Sequence, residues 1–146
     1  MTAVRVLEAA EVAQLLGEAG LLTDPESAGP YECAKAWRRA PAACLAAVGS
    51  VPLMPYVTGD NARLAGFFTV CPTCGDLGSA ALVNAPGRKH AIWEWNGSWG
   101  RPTLTPSIRS VPWEPGRCAG HWNISDGQLI VHGDSRCPGP GREGSA

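Results

Sequence analysis

The segment HWNISDGQLIVH, residues 121–132, predicts a β-hairpin. Its Asp126-Gly127 step is flanked by alternating apolar residues, which is typical of a two-residue hairpin loop. In the register that such a loop sets, His121 opposes His132, and directly opposed residues have Cβ atoms about 4.5–5.5 Å apart. The other face of the hairpin is apolar and contains Trp122, Ile124, Leu129 and Val131. We therefore expect a half-buried hairpin that holds two imidazoles side by side on its polar face.

Short strands and turns are also predicted upstream of this hairpin. Gly66–Val70 (GFFTV) has the composition of a strand, residues 91–95 alternate as a half-buried strand does, and Asn96-Gly97 is a strong turn signal. Five of the six tryptophans lie between residues 93 and 122, and we interpret them as part of a small hydrophobic core. Gly and Pro together account for 31 of 146 residues, which disfavours an all-helical bundle.

The first part of the chain is rich in alanine and predicts helices. Apolar residues of Leu7–Ala19 recur at the i, i+3, i+4 and i+7 spacing of an amphipathic helix. Pro30–Arg39 and Pro41–Val48 are two further short helices, since proline is tolerated at the first helical position. Cys33 and Cys44 fall in these two segments, and we interpret them as buried small hydrophobic residues.

These patterns predict an α+β protein with three parts. Residues 1–62 form an N-terminal helical segment, residues 63–137 form a zinc-binding β-rich domain with a small antiparallel sheet, and residues 138–146 form a flexible tail. Pro52 and Pro55 are expected to interrupt regular structure before the second part begins.

Composition and charge exclude several classes of protein. The chain has 146 residues, 45% hydrophobic and 17% charged, with a net charge of -1. That charge makes a generic electrostatic grip on nucleic acid unfavourable. No segment reaches the ~18 apolar residues that a membrane span requires. The first apolar stretch carries Glu8, Glu11 and Glu18, which is unlike a signal peptide, so we expect neither membrane insertion nor signal-directed secretion.

Two cysteine-containing turns suggest a metal site. Cys71-Pro-Thr-Cys74 has the spacing of a zinc knuckle, and Cys118-Ala-Gly-His121 supplies a second pair with the same two-residue separation. Three thiolates and an imidazole are ligands that Zn²⁺ favours. We therefore predict a structural Zn²⁺ site, with a disulfide scaffold and a thioredoxin-like redox pair as alternatives. Its predicted ligands are Cys71, Cys74, Cys118 and His121.

A catalytic role for this metal would need an open coordination position and a nearby acid or base. If only three of the ligands bind, water takes the fourth position, and His132, Asp134 or Glu94 becomes the candidate base. The sequence contains no H-E-x-x-H motif, and Ser107 and Ser125 lie in no recognisable triad context. A closed, structural site is therefore the preferred interpretation, with His132 and Asp134 around it rather than in it.

Three stretches together resemble a known family: CPTCG (71–75), WEWNGSWGRPTLTPSI (93–108) and CAGHWNISDGQLIVHGDS (118–135). The family contains small phage and bacterial proteins of unknown function that are described as zinc-binding and often carry the label ammonia monooxygenase. The resemblance covers about residues 67–136 and implies the same four metal ligands, although many phage members place the Cys and His of the second pair side by side. The oxygenase label finds no support, because the sequence lacks a copper oxygenase site and its membrane helices.

Arg101 has a separate interpretation. It precedes Pro102, which biases it toward an extended conformation. A guanidinium beside the metal would suit anion binding. The alternative is a cation–π contact in which Arg101 stacks on Trp95 or Trp99.

Three functions remain open at this point. The favoured one is a non-enzymatic, zinc-stabilised binding or assembly module of phage or prophage origin, which contacts a phage structural protein or a host protein in the virion or the host cytoplasm. The first alternative is a zinc-dependent hydrolase with an open metal site. The second is a single-stranded nucleic-acid-binding zinc-knuckle protein, in which the tryptophans stack on bases and Arg88, Lys89 and Arg101 contact phosphates. The sequence sets no oligomeric state.

Overall fold

The computed structural model describes residues 2–57, 63–71, 77–84, 89, 91–109 and 120–136. Within those residues the chain forms helices and a sheet, which confirms the α+β class. The helices are α1 (Ala9–Glu18), α2 (Pro30–Arg39) and α3 (Pro41–Val48). The strands are β1 (Thr2–Val6), β2 (Val51–Val57), β3 (Leu64–Val70), β4 (Leu77–Ala81), β5 (Glu94–Trp95), β6 (Leu104–Arg109), β7 (His121–Ser125) and β8 (Gln128–Val131).

The strands form one sheet in the order β4-β3-β2-β1-β8-β7-β6-β5. β1 and β2 run parallel, with the three helices in the crossover between them, and the other described pairs are antiparallel. Val4 of β1 pairs with Val51, and its neighbour Ala3 pairs with Gln128 of β8. β1 therefore joins the N-terminal strands to the C-terminal hairpin within a single sheet.

The sheet curls until its two ends approach each other. The Trp93 backbone N–H, just before β5, donates a hydrogen bond to the Ala81 carbonyl at the end of β4, with an N···O distance of 2.8 Å. The Phe67 and Trp95 rings meet edge to face with centroids 5.2 Å apart. The inner face of the curl encloses the main core, which contains Val4, Val6, Val51, Leu53, Phe67, Cys71, Ala80, Leu104, Ile108, Trp122, Ile124 and Leu129.

The helices cover the outer face of one half of the sheet. They pack on β2, β3 and β4, and a second core forms between them and the sheet. Trp37 of α2 and Leu16 of α1 are fully buried there against Met54 and Val70. The helical periodicity of the apolar residues accounts for this arrangement, because it places them on one stripe of each helix.

The described helices pack on β2, β3 and β4 rather than on the other half of the outer face. Along β6, β7 and β8, Ile108, Trp122 and Leu129 point into the core, while the residues between them alternate outward. Arg109 and Ile130 are exposed on this side. We call the outer side of β6–β8 the bare face.

The predicted hairpin is confirmed. Asp126 and Gly127 form its loop with φ angles of 50° and 77°, which are the positive values that a tight hairpin turn requires. Trp122 pairs with Val131 and the register continues to Ser125. The His132 N–H donates to the His121 carbonyl at 2.8 Å, so the two histidines are cross-strand neighbours as expected.

One sequence expectation about β2 is wrong. Pro52 and Pro55 do not interrupt the chain but lie inside β2. Pro52 falls where β2 pairs with β1, and Pro55 falls where β2 pairs with β3. Each proline therefore sits in a part of the strand that is paired on one side, which resembles an edge strand, where a missing N–H is tolerated.

Three other expectations stay predictions. The division at residues 62 and 63 is crossed by the sheet, since β1 and β2 precede it, and the tail 138–146 lies outside the described residues. A zinc knuckle that staples the sheet also stays a prediction, because Cys74 and Cys118 are likewise outside them. Across the described ranges, no helix has both the length and the apolar character to cross a bilayer.

Candidate active site

Three side chains on the bare face form a hydrogen-bonded chain. The Ser107 Oγ of β6 lies 2.9 Å from the His121 Nε2 at the start of β7. The other ring nitrogen of His121, Nδ1, lies 2.9 Å from an Asp134 carboxylate oxygen. A hydroxyl, an imidazole and a carboxylate are thus connected in sequence through the two nitrogens of one ring.

The pairing of β6 with β7 positions the hydroxyl. Arg109 lies directly opposite His121 in this pair. Ser107 precedes Arg109 by two residues, so it lies on the same face of the strand. Because Ile108 between them points into the core, both polar side chains are held outward beside the imidazole.

A tight turn after β8 positions the carboxylate. The Ser135 N–H donates to the His132 carbonyl at 3.0 Å, which closes the turn that carries Asp134. The His121 N–H donates to the Ser135 Oγ at 3.0 Å, which ties this turn back to β7. The carboxylate therefore reaches the imidazole from the end of the hairpin.

Arg109 completes the cluster. Its Nη2 lies 2.5 Å from Asp134 Oδ2 and 2.8 Å from His121 Nδ1. The hydrogen bond from Arg109, followed by that from His121, holds the pKa of the Asp134 carboxyl well below its usual range. Asp134 is therefore an ionised acceptor at neutral pH.

The neighbours of Nδ1 limit His121 to two arrangements. Nδ1 cannot donate to Asp134 and accept from Arg109 at the same time. When the proton is on Nδ1, Nδ1–H donates to Asp134, and Nε2 keeps a lone pair that can accept the Ser107 hydroxyl proton. This is the protonation pattern that a serine nucleophile requires of its general base.

His132 packs against the face of the His121 ring. The two imidazoles are stacked with centroids 4.0 Å apart and planes 12° from parallel. His132 Nε2 is hydrogen-bonded to the Asn123 side-chain oxygen. An amide oxygen can only accept, so the His132 proton lies on Nε2. The stacked ring limits the freedom of His121 to turn away from Ser107.

The predicted site residues are only partly brought together. His121, His132 and Asp134 form one cluster, as their grouping in the sequence analysis implied. Cys71 follows β3 and is 2% exposed within the core. Because Cys74 and Cys118 lie outside the described residues, and both ring nitrogens of His121 contact protein atoms, the Cys3His zinc assignment stays a prediction.

Arg101 lies away from this cluster. Its Nη2 is 2.7 Å from the Asp126 Oδ2 of the hairpin loop, and both side chains are more than two-thirds exposed. The predicted contact with a bound anion stays a prediction, whereas the described cation–π pair involves Lys35 and Tyr31 rather than Arg101.

Sequence reasoning missed Ser107 and Arg109. The expectation that Ser107 has no triad context is wrong, because His121 comes from another strand and Asp134 comes from the turn after β8 rather than from flanking residues. The register between β6 and β7 follows no short loop, since residues 110–120 separate the two strands. One signal was present in the sequence: Ser107 and Arg109 flank an apolar residue, which is the alternation of a half-buried strand.

The fold and this site define a class: an α+β protein with a serine–histidine–aspartate arrangement on the outer side of its sheet. Comparison with known families agrees, because residues 48–132 match the family described as "Bacterial ubiquitination-like system serine protease (BubE)". The match spans more than half of the chain, and the chain belongs to this family. It includes Ser107 and His121 and ends two residues before Asp134. Neither the curated proteins nor the solved structures contain a match.

The family corrects the favoured function. The interpretation as a non-enzymatic phage or virion assembly module is wrong, because the matching family is described as a serine protease of a bacterial system. The cysteine spacing favoured a metal site, whereas Ser107 has no local sequence motif that marks it as a nucleophile. The hydrolase alternative is closer, but the family description names serine chemistry, not zinc chemistry.

Proposed function

We propose that this protein is a serine hydrolase that cleaves a peptide or related acyl bond within a bacterial ubiquitination-like system. Ser107 is the nucleophile, His121 the general base and Asp134 the residue that orients the base. The observation that carries the proposal is the use of both imidazole nitrogens: Nε2 faces the Ser107 hydroxyl and Nδ1 faces the Asp134 carboxylate, each at 2.9 Å. The family description supports the same chemistry.

The first half of the reaction forms an acyl-enzyme. Ser107 Oγ attacks the carbonyl carbon of the substrate, a C–O bond forms, and His121 Nε2 takes the hydroxyl proton. The tetrahedral intermediate then collapses, the C–N bond breaks, and His121 returns the proton to the leaving amine. Asp134 stays ionised throughout and stabilises the imidazolium through Nδ1–H.

The second half releases the acyl group. Water gives a proton to His121 Nε2 and attacks the ester carbon, and collapse of that intermediate breaks the bond to Ser107 Oγ and returns the proton to the serine. Arg109 keeps Asp134 in place by binding its second oxygen. The Asp134 and Arg109 side chains are 57% and 48% exposed, so this end of the cluster is in contact with solvent.

A fluorophosphonate probe tests the nucleophile. The probe reacts with serines that a neighbouring base has activated, so we expect one adduct, mapped to Ser107 by peptide mass spectrometry. Ser107→Ala and His121→Ala should abolish labelling, and Ser107→Ala should lower hydrolysis by about 10⁴-fold or more. Ser125→Ala is the matched control, because Ser125 is an exposed serine on the neighbouring strand β7.

Two outcomes contradict the proposal. One is labelling that persists in Ser107→Ala, which would place the nucleophile elsewhere. The other is hydrolysis that survives in Ser107→Ala but disappears with a chelator and returns with Zn²⁺, which would favour the metal hydrolase. Circular dichroism of each variant confirms that a loss of labelling does not come from unfolding.

A further inference from the structure

The bare face contains a group of metal-ligating side chains that overlaps the triad. One ligand atom from each of His121, His132 and Asp134 lies within 4.8 Å of the others. Two imidazoles and a carboxylate are a ligand set that Zn²⁺ and other divalent transition metals favour. The stacked histidines come from adjacent strands, so the pair is held by the sheet itself.

The hydrogen bonds of this group leave a nitrogen and a carboxylate available to a metal. The side-chain oxygen of Asn123 accepts a hydrogen bond from the Nε2–H of His132, which leaves the Nδ1 of His132 with a lone pair. Among the residues that the structure describes, none forms a hydrogen bond to this nitrogen. The Asp134 side chain is more than half exposed, so it offers a carboxylate oxygen that ions in solution can reach.

Side-chain rotation is needed to bring the ligands to bonding distance. Bonds of about 2.0–2.1 Å to a tetrahedral ion require ligand atoms about 3.3 Å apart. Because the two imidazole planes are nearly parallel, His132 must turn out of the stack so that its lone pair and that of His121 meet at one ion. Asp134 is on a surface turn and can follow. Water from the exposed side fills the remaining coordination position.

We propose that this cluster binds a divalent transition metal ion, with Zn²⁺ as the reference ion, and that the bound ion inhibits the enzyme. The inhibitory part rests on the proposed serine hydrolase function, whereas the binding part does not. The ion would bind the Nδ1 of His121, the Nδ1 of His132 and a carboxylate oxygen of Asp134. This site differs from the cysteine site predicted from the sequence.

The mechanism of inhibition follows from the tautomer of His121. A metal ion on Nδ1 needs the lone pair there, so the single proton of the neutral ring moves to Nε2. An Nε2–H points at Ser107 Oγ and cannot accept the hydroxyl proton. The ion also takes the carboxylate that otherwise holds the base in its active tautomer. Both effects remove the general base without blocking access to Ser107.

The positive charge of Arg109 should weaken metal binding. Its guanidinium occupies the other oxygen of Asp134 and lies 2.8 Å from His121 Nδ1, so a cation must displace it or share the site with it. Loss of this positive charge should therefore tighten metal binding, whereas loss of the His132 lone pair should weaken it. These two substitutions at one site act in opposite directions, which a general effect on folding would not produce.

The binding experiment uses Ser107→Ala protein titrated with Zn²⁺ and with Co²⁺. We expect one ion per chain on the cluster, and a Co²⁺ spectrum of that ion without a thiolate charge-transfer band. His132→Phe keeps an aromatic ring for stacking and should raise the Kd by about 10–100-fold or more. Arg109→Gln should lower the Kd. Asp134→Asn serves as a second loss variant if His132→Phe fails to fold.

The inhibition experiment uses the wild-type protein. Zn²⁺ should reduce fluorophosphonate labelling of Ser107, and a chelator should restore it, with the midpoint moved to higher Zn²⁺ in His132→Phe. Metal that binds only with a thiolate band and ignores His132→Phe overturns the site. Binding that depends on His132 without any loss of labelling overturns the inhibition. If Ser107 never labels, the proposed function fails, and the titration still decides the metal site.

Discussion

The outer side of the sheet differs sharply between its two halves. Over β2 and β3 it is covered by three helices, and Met54 and Val70 on that side are as deeply buried as the residues inside the curl. Over β6–β8 the described helices do not pack on it, and the corresponding positions carry Ser107, Arg109 and His121. In the half formed by β2 and β3, both faces of the sheet are therefore apolar. In the half formed by β6–β8, the inner face is apolar and the outer face is polar.

This difference explains where the chemistry lies. A strand that is buried on both faces cannot place a charged pair such as Arg109 and Asp134 without a large desolvation cost. The bare face keeps these charges in contact with water, while the inner core beneath it holds the strands rigid. The covered half supplies stability to the sheet, and the bare half presents three functional groups at fixed spacing.

The largest expected effect tests the covered half. Trp37→Ala removes a fully buried ring between α2 and the sheet, so it should lower the free energy of unfolding by about 3–5 kcal/mol. Urea unfolding followed by circular dichroism measures this loss.

Trp99→Ala is the matched control in the bare half. Trp99 is 49% exposed, and its contact with β1 is through the backbone carbonyl, which alanine retains. We expect a change within about 1 kcal/mol. A larger loss from Trp99→Ala than from Trp37→Ala would reverse the comparison.

A smaller effect distinguishes two turns, one in each half. Gly127 (φ 77°) closes the hairpin of the bare half, and Gly49 (φ 80°) ends α3 in the covered half. Alanine at either position pays about 1–2 kcal/mol for the left-handed conformation. At Gly127 the new Cβ would also lie 3.0 Å from the Arg101 Cα, whereas nothing lies within 4 Å of it at Gly49.

Gly127→Ala should therefore be the more destabilising of the two variants. It should also lower fluorophosphonate labelling of Ser107, because the loop sets the register that aligns β7 with β8. Gly49→Ala should leave labelling unchanged. Equal losses of stability in the two variants would show that the contact with Arg101 relaxes without cost.

Local patterns predicted much of the fold. The three helices follow from apolar periodicity and from proline and glycine at their ends, and the hairpin register follows from Asp126-Gly127 alone. The curl of the sheet was not predicted, because it depends on contacts such as Trp93 with Ala81 between distant segments. Nor did the sequence reveal that β1 joins the hairpin.

The same limit applies to the site. The proximity of His121 and His132 was predictable, since one two-residue loop relates them. The position of Ser107 was not, because its register against β7 is set by core packing of Ile108 and Trp122 rather than by a short turn. The spacing of the cysteines in the sequence favoured a metal site. The position of Ser107 beside His121 depends instead on the pairing of β6, β7 and β8, which the sequence does not determine.

The last expected effect concerns pH and again belongs to the covered half. Burial, followed by the negative charge of Glu32, raises the pKa of the Cys33 thiol from its ordinary value of 9.0 to about 11. In the unfolded chain this thiol ionises at about pH 9, and in the folded protein only at about pH 11. Its contribution to stability is therefore complete below pH 9 and is lost as the pH rises toward about 11.

The free energy of unfolding should fall across that interval with a slope of at most about 1.4 kcal/mol per pH unit from this thiol. Cys33→Ala removes the group, so the difference between the two proteins in urea unfolding isolates its share. Cys44 is a related buried thiol whose pKa is also raised by burial, and it remains in both proteins. If the free energy of unfolding has the same pH dependence in both proteins, Cys33 ionises in the folded state. The helices over the sheet would then admit water more easily than their packing around Trp37 indicates.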